Sequence, residues 1–282
     1  MKTVQGIKEV RKQVEKWRRK GLTIGMVPTM GFLHDGHESL INKARKENDK
    51  VIVSIFVNPT QFGPTEDFAA YPRDLKKDEK LCKRAGADLI FNPEASEIYI
   101  DDASTTVNVL GLSEGLCGGK RPVHFGGVCL VVSKLFNIAT PDKAYFGEKD
   151  AQQLAVIKRM VRDLNFNVEI IGCPIIRELD GLAKSSRNTY LSIEERKAAL
   201  ILNKSLKLAK KAINKGENNS QKIFEIITNK IETETLSKID YIEIVDSNTL
   251  KPIETLSSSS LIAIAVYIGK TRLIDNFTVE VK

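Results

Sequence analysis

The chain has 282 residues, 28% of them charged and 42% hydrophobic, a balance that excludes a disordered or fibrous polypeptide and suffices for about two domains. Its formal net charge of +7 suits an anionic ligand, but the basic residues are spread along segments such as 10–20, 75–84 and 203–215, as on solvated helix faces. Four separated cysteines (Cys82, Cys117, Cys129 and Cys173) form no Cys-x-x-Cys pair, which argues against a zinc site or a disulfide framework.

The first eight residues begin no long apolar run, and the longest such run, 261–268, is too short to span a bilayer, so a cytoplasmic protein is expected. Ile7, Val10, Val14 and Trp17 recur at helical spacing and predict a helix over 7–19, closed by Gly21. The apolar run 22–27 reads as a buried strand, and 38–45, with Leu40, Ile41 and Ala44 on one face, as a helix. A β-branched run over 51–57 predicts a second strand of the kind a parallel sheet covers on both faces, and Asn58-Pro59 ends it. A loop over 60–71, a charged helix over 74–84 and a third strand over 87–91 follow. This alternation predicts an α/β fold with a doubly wound parallel sheet, whose ligands lie beyond the carboxyl ends of the strands.

Residues 105–110 are expected as a strand. Six of the 18 glycines fall within 111–127, too dense for a long helix, and predict a mobile loop. An apolar helix is expected over 128–138, a short strand over 143–146, a helix over 151–164 and a strand over 168–176, where Pro174 suits an edge or a bulge. After Asn188 come two helices, 193–215 and 220–232, then strands at 241–245, 261–268 and 271–276 that form a small separate sheet. The expected boundary lies near Ile175, with a first domain over 1–175 and a smaller α+β domain over 176–282.

Chemistry concentrates in Pro28-Thr29-Met30-Gly31-Phe32-Leu33-His34-Asp35-Gly36-His37, between the first core strand and its helix. A strand, a glycine turn and a helix N-terminus make an anion site, because the first helical turn presents unpaired N–H groups at its positive dipole end. A single histidine there reads as a cap; two flanking a glycine point to phosphate chemistry. In Asn58-Pro59-Thr60-Gln61-Phe62-Gly63, turn chemistry accounts for Asn58, Pro59 and Gly63, whereas the Gln61 amide offers donors and an acceptor to a hydroxy acid. Gly147-Glu148-Lys149-Asp150-Ala151-Gln152-Gln153-Leu154 is either a surface turn or a ligand turn at a helix start. Asp180-Gly181-Leu182-Ala183-Lys184-Ser185-Ser186-Arg187-Asn188 places two hydroxyls between two cations, which suits either a triphosphate cradle or a polar linker.

His-x-Gly-His resembles the signature of the nucleotidyltransferase superfamily with a Rossmann-like fold, and the whole run from Pro28 to His37 is similar to that of the pantothenate synthetases, the pantoate–β-alanine ligase family. Asn-Pro-x-Gln-Phe, Tyr71-Pro72-Arg73, Arg121-Pro122-Val123-His124-Phe125-Gly126-Gly127 and Phe-Gly-Glu-Lys-Asp-x-Gln-Gln follow in the family's order. The resemblance implies an ATP-dependent ligase that joins pantoate to β-alanine through pantoyl adenylate, with Mg2+, as a homodimer, without nucleic-acid or membrane partners. It implies His37 and His34 as catalytic residues. It further implies ATP contacts from Met30, Gly31, Phe32, Leu33, His34, Asp35, Gly36 and His37, from Gly147, Glu148, Lys149 and Asp150, from the backbone at Ile176, and from Lys184, Ser185, Ser186 and Arg187. Gln61 and Gln153 are the implied pantoate ligands, Gln61 also serving β-alanine, and Asp78 is an outer metal ligand. Lys184 departs from the family's Met or Leu; its ammonium either meets phosphate or reaches solvent above a packed stem. Two alternatives fit less of the chain. A nucleotidyltransferase acting on a phosphorylated small molecule leaves Gln61 and Gln153 unexplained, and a nucleic-acid-binding module lacks a basic–aromatic stripe, aromatics being only 6%.

Overall fold

The computed structural model describes residues 1–64, 66–256 and 259–280, which divide into two compact units. The first comprises Met1–Leu110, Arg121–Glu148 and Val156–Pro174; the second comprises Gly111–Lys120, Lys149–Ala155 and the chain from Ile175 onward. Elements appear in the order β1 (Lys2–Val4), α1 (Ile7–Arg18), β2 (Ile24–Thr29), α2 (Asp35–Glu47), β3 (Lys50–Ile55), α3 (Leu75–Arg84), β4 (Leu89–Phe91) and the single turn α4 (Ala95–Ile98). Then come α5 (Leu116–Lys120), α6 (His124–Ala139), β5 (Lys143–Gly147), α7 (Ala151–Asp163) and β6 (Glu169–Cys173). The C-terminal third adds α8 (Ile193–Ala198), α9 (Leu200–Ile213), α10 (Ser220–Ile231), β7 (Ser237–Asp246), β8 (Ser260–Ile268) and β9 (Thr271–Val279).

The first unit holds a six-stranded parallel sheet in the order β1-β4-β3-β2-β5-β6. The chain runs outward from β2 through β3 to β4, then crosses to β5 on the other side of β2. The switch point therefore lies at the carboxyl ends of β2 and β5, where such sheets hold ligands. Val27, Val51, Val53 and Ile90 are fully buried in the sheet, and α2 packs Leu40, Ile41 and Ala44 against it. Each such large side chain contributes about 1.5–3 kcal/mol by leaving water. In the second unit, β7-β8-β9 form an antiparallel sheet whose Ile262, Ile264 and Val266 pack with Leu202 and Leu206 of α9 and with Ile223 and Ile227 of α10. Among the described residues no helix is long and apolar enough to cross a membrane.

Four local expectations are corrected. The glycine-dense stretch 111–127, expected as a loop, contains α5 and the start of α6. Residues 105–110 form no strand. α6 starts at His124, four residues before its apolar run, and takes in Gly126 and Gly127. The helix expected over 193–215 is interrupted at Ala199, between α8 and α9. β1 was not foreseen: three residues are too few to show a period, and only pairing with β4 defines them.

Candidate active site

The two histidines cap α2 themselves. His34 occupies the N-cap in an extended conformation, and its Nδ1 accepts the Gly36 N–H at 3.1 Å. The Nδ1 of His37 accepts the His34 N–H at 3.3 Å, and the two rings lie 4.1 Å apart between centroids. This is a capping box in which imidazoles replace the usual hydroxyl and carboxylate. Because both Nδ1 atoms accept, each neutral ring carries its proton on Nε2, so that atom is a hydrogen-bond donor. Each ring thus gains a fixed tautomer and a fixed direction at the positive end of a 13-residue helix.

The turn before them is strained and braced. Gly31 has φ +82° and Phe32 φ +51°, a conformation that a bulky residue keeps only when its surroundings impose it. Asp78 imposes it from α3: one carboxylate oxygen accepts the Phe32 N–H at 2.8 Å and the other the Leu33 N–H at 2.7 Å. Asp78 is only 1% exposed, and burial pushes its carboxyl above the ordinary value, partly offset by those two amide bonds. Each Asp78 oxygen accepts one of these amide bonds and the side chain is buried, so this geometry gives Asp78 a bracing role in the turn rather than an open face for an ion. Among the described residues no three His, Cys, Asp or Glu side chains are grouped to hold a metal ion.

Beside β3, Gln61 is 6% exposed at the end of a short 3-10 turn. Its Oε1 accepts from Asn58 Nδ2 at 3.1 Å and its Nε2 lies 3.0 Å from Met30 Sδ, which brings two expected site residues together. Asn58 is fixed in turn by Tyr99, whose hydroxyl donates to Asn58 Oδ1 at 2.7 Å, and by donating to the Gly127 carbonyl. The Gln61 carbonyl lies 3.0 Å from His124 Nδ1 and also accepts from Arg121, which pairs with Glu66. His124, the first residue of α6, therefore helps orient the Gln61 turn.

In the second unit, Lys149 and Asp150 are neighbours whose charged groups lie 3.7 Å apart. The Lys149 carbonyl accepts from Asn276 Nδ2 at 2.8 Å. Gln153 is half-buried on the first turn of α7. Its neighbour Gln152, which sequence reasoning passed over, is buried and binds the glycine-rich segment three times: it accepts the Cys117 N–H and donates to the carbonyls of Leu112 and Gly115. The sequence signal was its phase alone, since Gln152 falls on the helix face of Val156 and Met160, both buried in the structure.

The Ile176–Asn188 stretch folds back on itself. The Lys184 N–H donates to the Ile176 carbonyl at 2.9 Å, and Arg177 bridges Ala183. Lys184 places its ammonium 2.9 Å from Glu178. Ser185 caps the 3-10 turn Ser186–Tyr190 by accepting the Arg187 N–H. Ser185, Ser186 and Arg187 are all half-buried, and Asn188 donates to the Ala183 carbonyl.

The chain matches the family model described as pantoate-beta-alanine ligase over residues 2–278. It is 68% identical to the pantothenate synthetase of Clostridioides difficile (strain 630) and 66% identical to that of Enterococcus faecalis (strain ATCC 700802 / V583), covering 98% of each chain in both cases. Among solved structures, the pantothenate synthetase of Thermus thermophilus superimposes with a TM-score of 0.93 at 43% identity, covering 98% of this chain and 99% of that one. A pantoate-beta-alanine ligase from Francisella tularensis complexed with β-γ ATP and β-alanine gives 0.80 at 38% identity, covering 98% and 97%. Likeness of this extent, together with a histidine pair built into the start of α2 at the sheet's switch point, places the chain: it belongs to the pantoate–β-alanine ligase family.

Proposed function

We infer that the protein condenses pantoate with β-alanine at the expense of ATP, releasing AMP and pyrophosphate. The observation that carries this reading is the His34–His37 pair, with both donors set on Nε2 at the N-terminus of α2, in a chain of this family. In the first step the pantoate carboxylate attacks the α-phosphorus of ATP; a phosphorus–oxygen bond forms and the bond to pyrophosphate breaks. In the second, the β-alanine amine attacks the acyl carbon of pantoyl adenylate, forming the amide and expelling AMP.

Two anions react in the first step, so most of the protein's work is positioning and charge stabilisation. Nε2–H of His37 and of His34 donates to the α-phosphate oxygens as charge grows there. Amides at the start of α2 add to that field, and Met30, Gly31, Phe32, Leu33, Asp35 and Gly36 line the nucleotide. Lys149, Ser185, Ser186 and Arg187 hold the pyrophosphate. Gly147, Glu148, Asp150 and the Ile176 backbone contact the nucleoside. Gln61 and Gln153 bind pantoate through their amides, and Gln61 also receives β-alanine. For Lys184 the ion pair with Glu178 supports a structural role within its turn. Magnesium enters as the Mg–ATP substrate, held by phosphate oxygens and water; no step is assigned to an ion on Asp78. We take the protein to act as a cytoplasmic homodimer on small molecules, without nucleic acid.

The test is pyrophosphate release from ATP with pantoate present, before and after β-alanine is added. The expected result is one equivalent released with pantoate alone, then steady turnover with AMP once β-alanine arrives. Absence of pantoate-dependent pyrophosphate from folded protein would overturn the assignment.

A further inference from the structure

β9 carries two adjacent polar residues that a small apolar sheet has no need of. Asp275 is 2% and Asn276 6% exposed. Successive residues of a strand face opposite sides, so Asp275 shares a face with Leu273 and Phe277, which pack in the hydrophobic core, while Asn276 shares the other with Arg272. A carboxylate on a core face is costly to bury and persists only where a cation meets it. Arg177 does so: its two Nη atoms donate to the two Asp275 oxygens at 2.7 and 2.9 Å, and Nη1 also donates to the Gly181 carbonyl at 3.1 Å. One fork thus spans the base and the tip of the turn that leads into Ser185, Ser186 and Arg187.

Asn276 acts on the other turn. Its Nδ2 donates to the Lys149 carbonyl at 2.8 Å. In a planar trans peptide the carbonyl and the following N–H point opposite ways, so this bond sets the direction of the Asp150 N–H just before α7 begins. The bond also fixes the backbone from which the Lys149 side chain departs.

We propose that Asp275 and Asn276 are positioning residues for the nucleotide, Asp275 setting the turn that carries Ser185, Ser186 and Arg187, and Asn276 setting the peptide that joins Lys149 to Asp150. The proposal rests on reading these two turns as the ATP-phosphate contacts. It assigns a role to the C-terminal strand that no motif announced, and it explains why polar groups stand where apolar ones would hold the sheet equally well.

The experiment measures kcat, the KM values for ATP, pantoate and β-alanine, and the thermal midpoint of Asn276→Ala, Asp275→Asn and Lys149→Met in the full chain. Asn276→Ala is expected to raise the KM for ATP about tenfold, with the other two KM values within about twofold and the midpoint lowered by a few degrees at most. Asp275→Asn is expected to do the same with a larger loss of midpoint; if it does not fold, Asn276→Ala decides. An unchanged KM for ATP in Asn276→Ala, or a parallel rise of all three KM values with the loss of midpoint, would overturn the proposal. If Lys149→Met is impaired toward ATP and Asn276→Ala is not, only the positioning role falls. If Lys149→Met is itself indifferent to ATP, the phosphate reading falls and the proposal with it.

Discussion

His37 and Asp78 both bear on residues 31–37, and they divide the labour between chemistry and shape. His37→Ala removes a donor whose strength matters most as charge builds at phosphorus, and a half-buried ring whose loss leaves the core of α2 untouched. Turnover is expected to fall at least about a hundredfold, with the circular dichroism spectrum nearly unchanged and the thermal midpoint lowered by a few degrees at most, because the lost cap bond to the His34 N–H is worth about 1 kcal/mol. Single-turnover pyrophosphate release checks it; near-normal turnover would take His37 out of the mechanism. Asp78 braces the turn through its backbone, and its distance in sequence explains why no motif announces that role. His34, His37, Gln61 and Lys149 stand out as candidates in the sequence because their chemical types sit in short local motifs. Asp78 lies 45 residues from Leu33, and only the packing of α3 brings its carboxylate to the turn. Gln152 illustrates the same limit. It stands beside Gln153 in one motif, yet its side chain is buried in the glycine-rich segment, a choice that helix phase and tertiary packing make together.

Elements were legible where a period ran long enough. α1, α2, β3 and α10 each show a buried face or a continuous apolar run in the sequence, whereas β1 has three residues and takes its identity from β4. The start of α6 was missed for a physical reason: Gly126 and Gly127 lower helix propensity by about 1 kcal/mol each relative to Ala. Packing explains the exchange at Gly127. A Cβ there would lie 2.4 Å from the Thr60 carbonyl oxygen and 2.6 Å from the Gln61 nitrogen, both backbone atoms that cannot swing aside. At Gly126 the obstacle is the Asn108 side-chain oxygen at 2.7 Å, which can rotate away. Propensity therefore favours alanine at both positions, but at Gly127 overpacking, typically about 1–3 kcal/mol, opposes it and moves the Gln61 turn. Gly127→Ala is expected to lower kcat/KM for pantoate about a hundredfold, and Gly126→Ala by no more than a few-fold. Steady-state kinetics on the two variants make the comparison; equal effects would mean that the close approach of α6 to the Gln61 turn is immaterial.

At the scale of the molecule, the chain is not two successive halves, since the second unit draws on three separate stretches. A composition shift could point to Ile175 as a boundary but could not reveal that Gly111–Lys120 and Lys149–Ala155 also belong beyond it, because neither is long enough to carry a signature. The cysteines are placed so that this organisation can be followed chemically. Cys82, Cys129 and Cys173 are buried in the first unit, where burial pushes their thiols up to about 12, 12 and 11. At pH 8 a thiol near 12 is ionised to roughly one part in ten thousand, and the thiolate is the reacting species. Cys117 in the second unit is half-exposed, with both Nη atoms of Arg272 3.6 Å from its sulfur and the Tyr241 hydroxyl at 3.3 Å. Iodoacetamide at pH 8 is therefore expected to add one group to the native protein, at Cys117, and four in denaturant, as read by mass spectrometry of peptides. Because the three buried thiols react only when the first unit opens, their labelling across a urea series traces that unit alone, while Cys117 reacts throughout. Modification of Cys82, Cys129 or Cys173 ahead of Cys117 in native buffer would mean that the parallel-sheet core opens more readily than its burial implies.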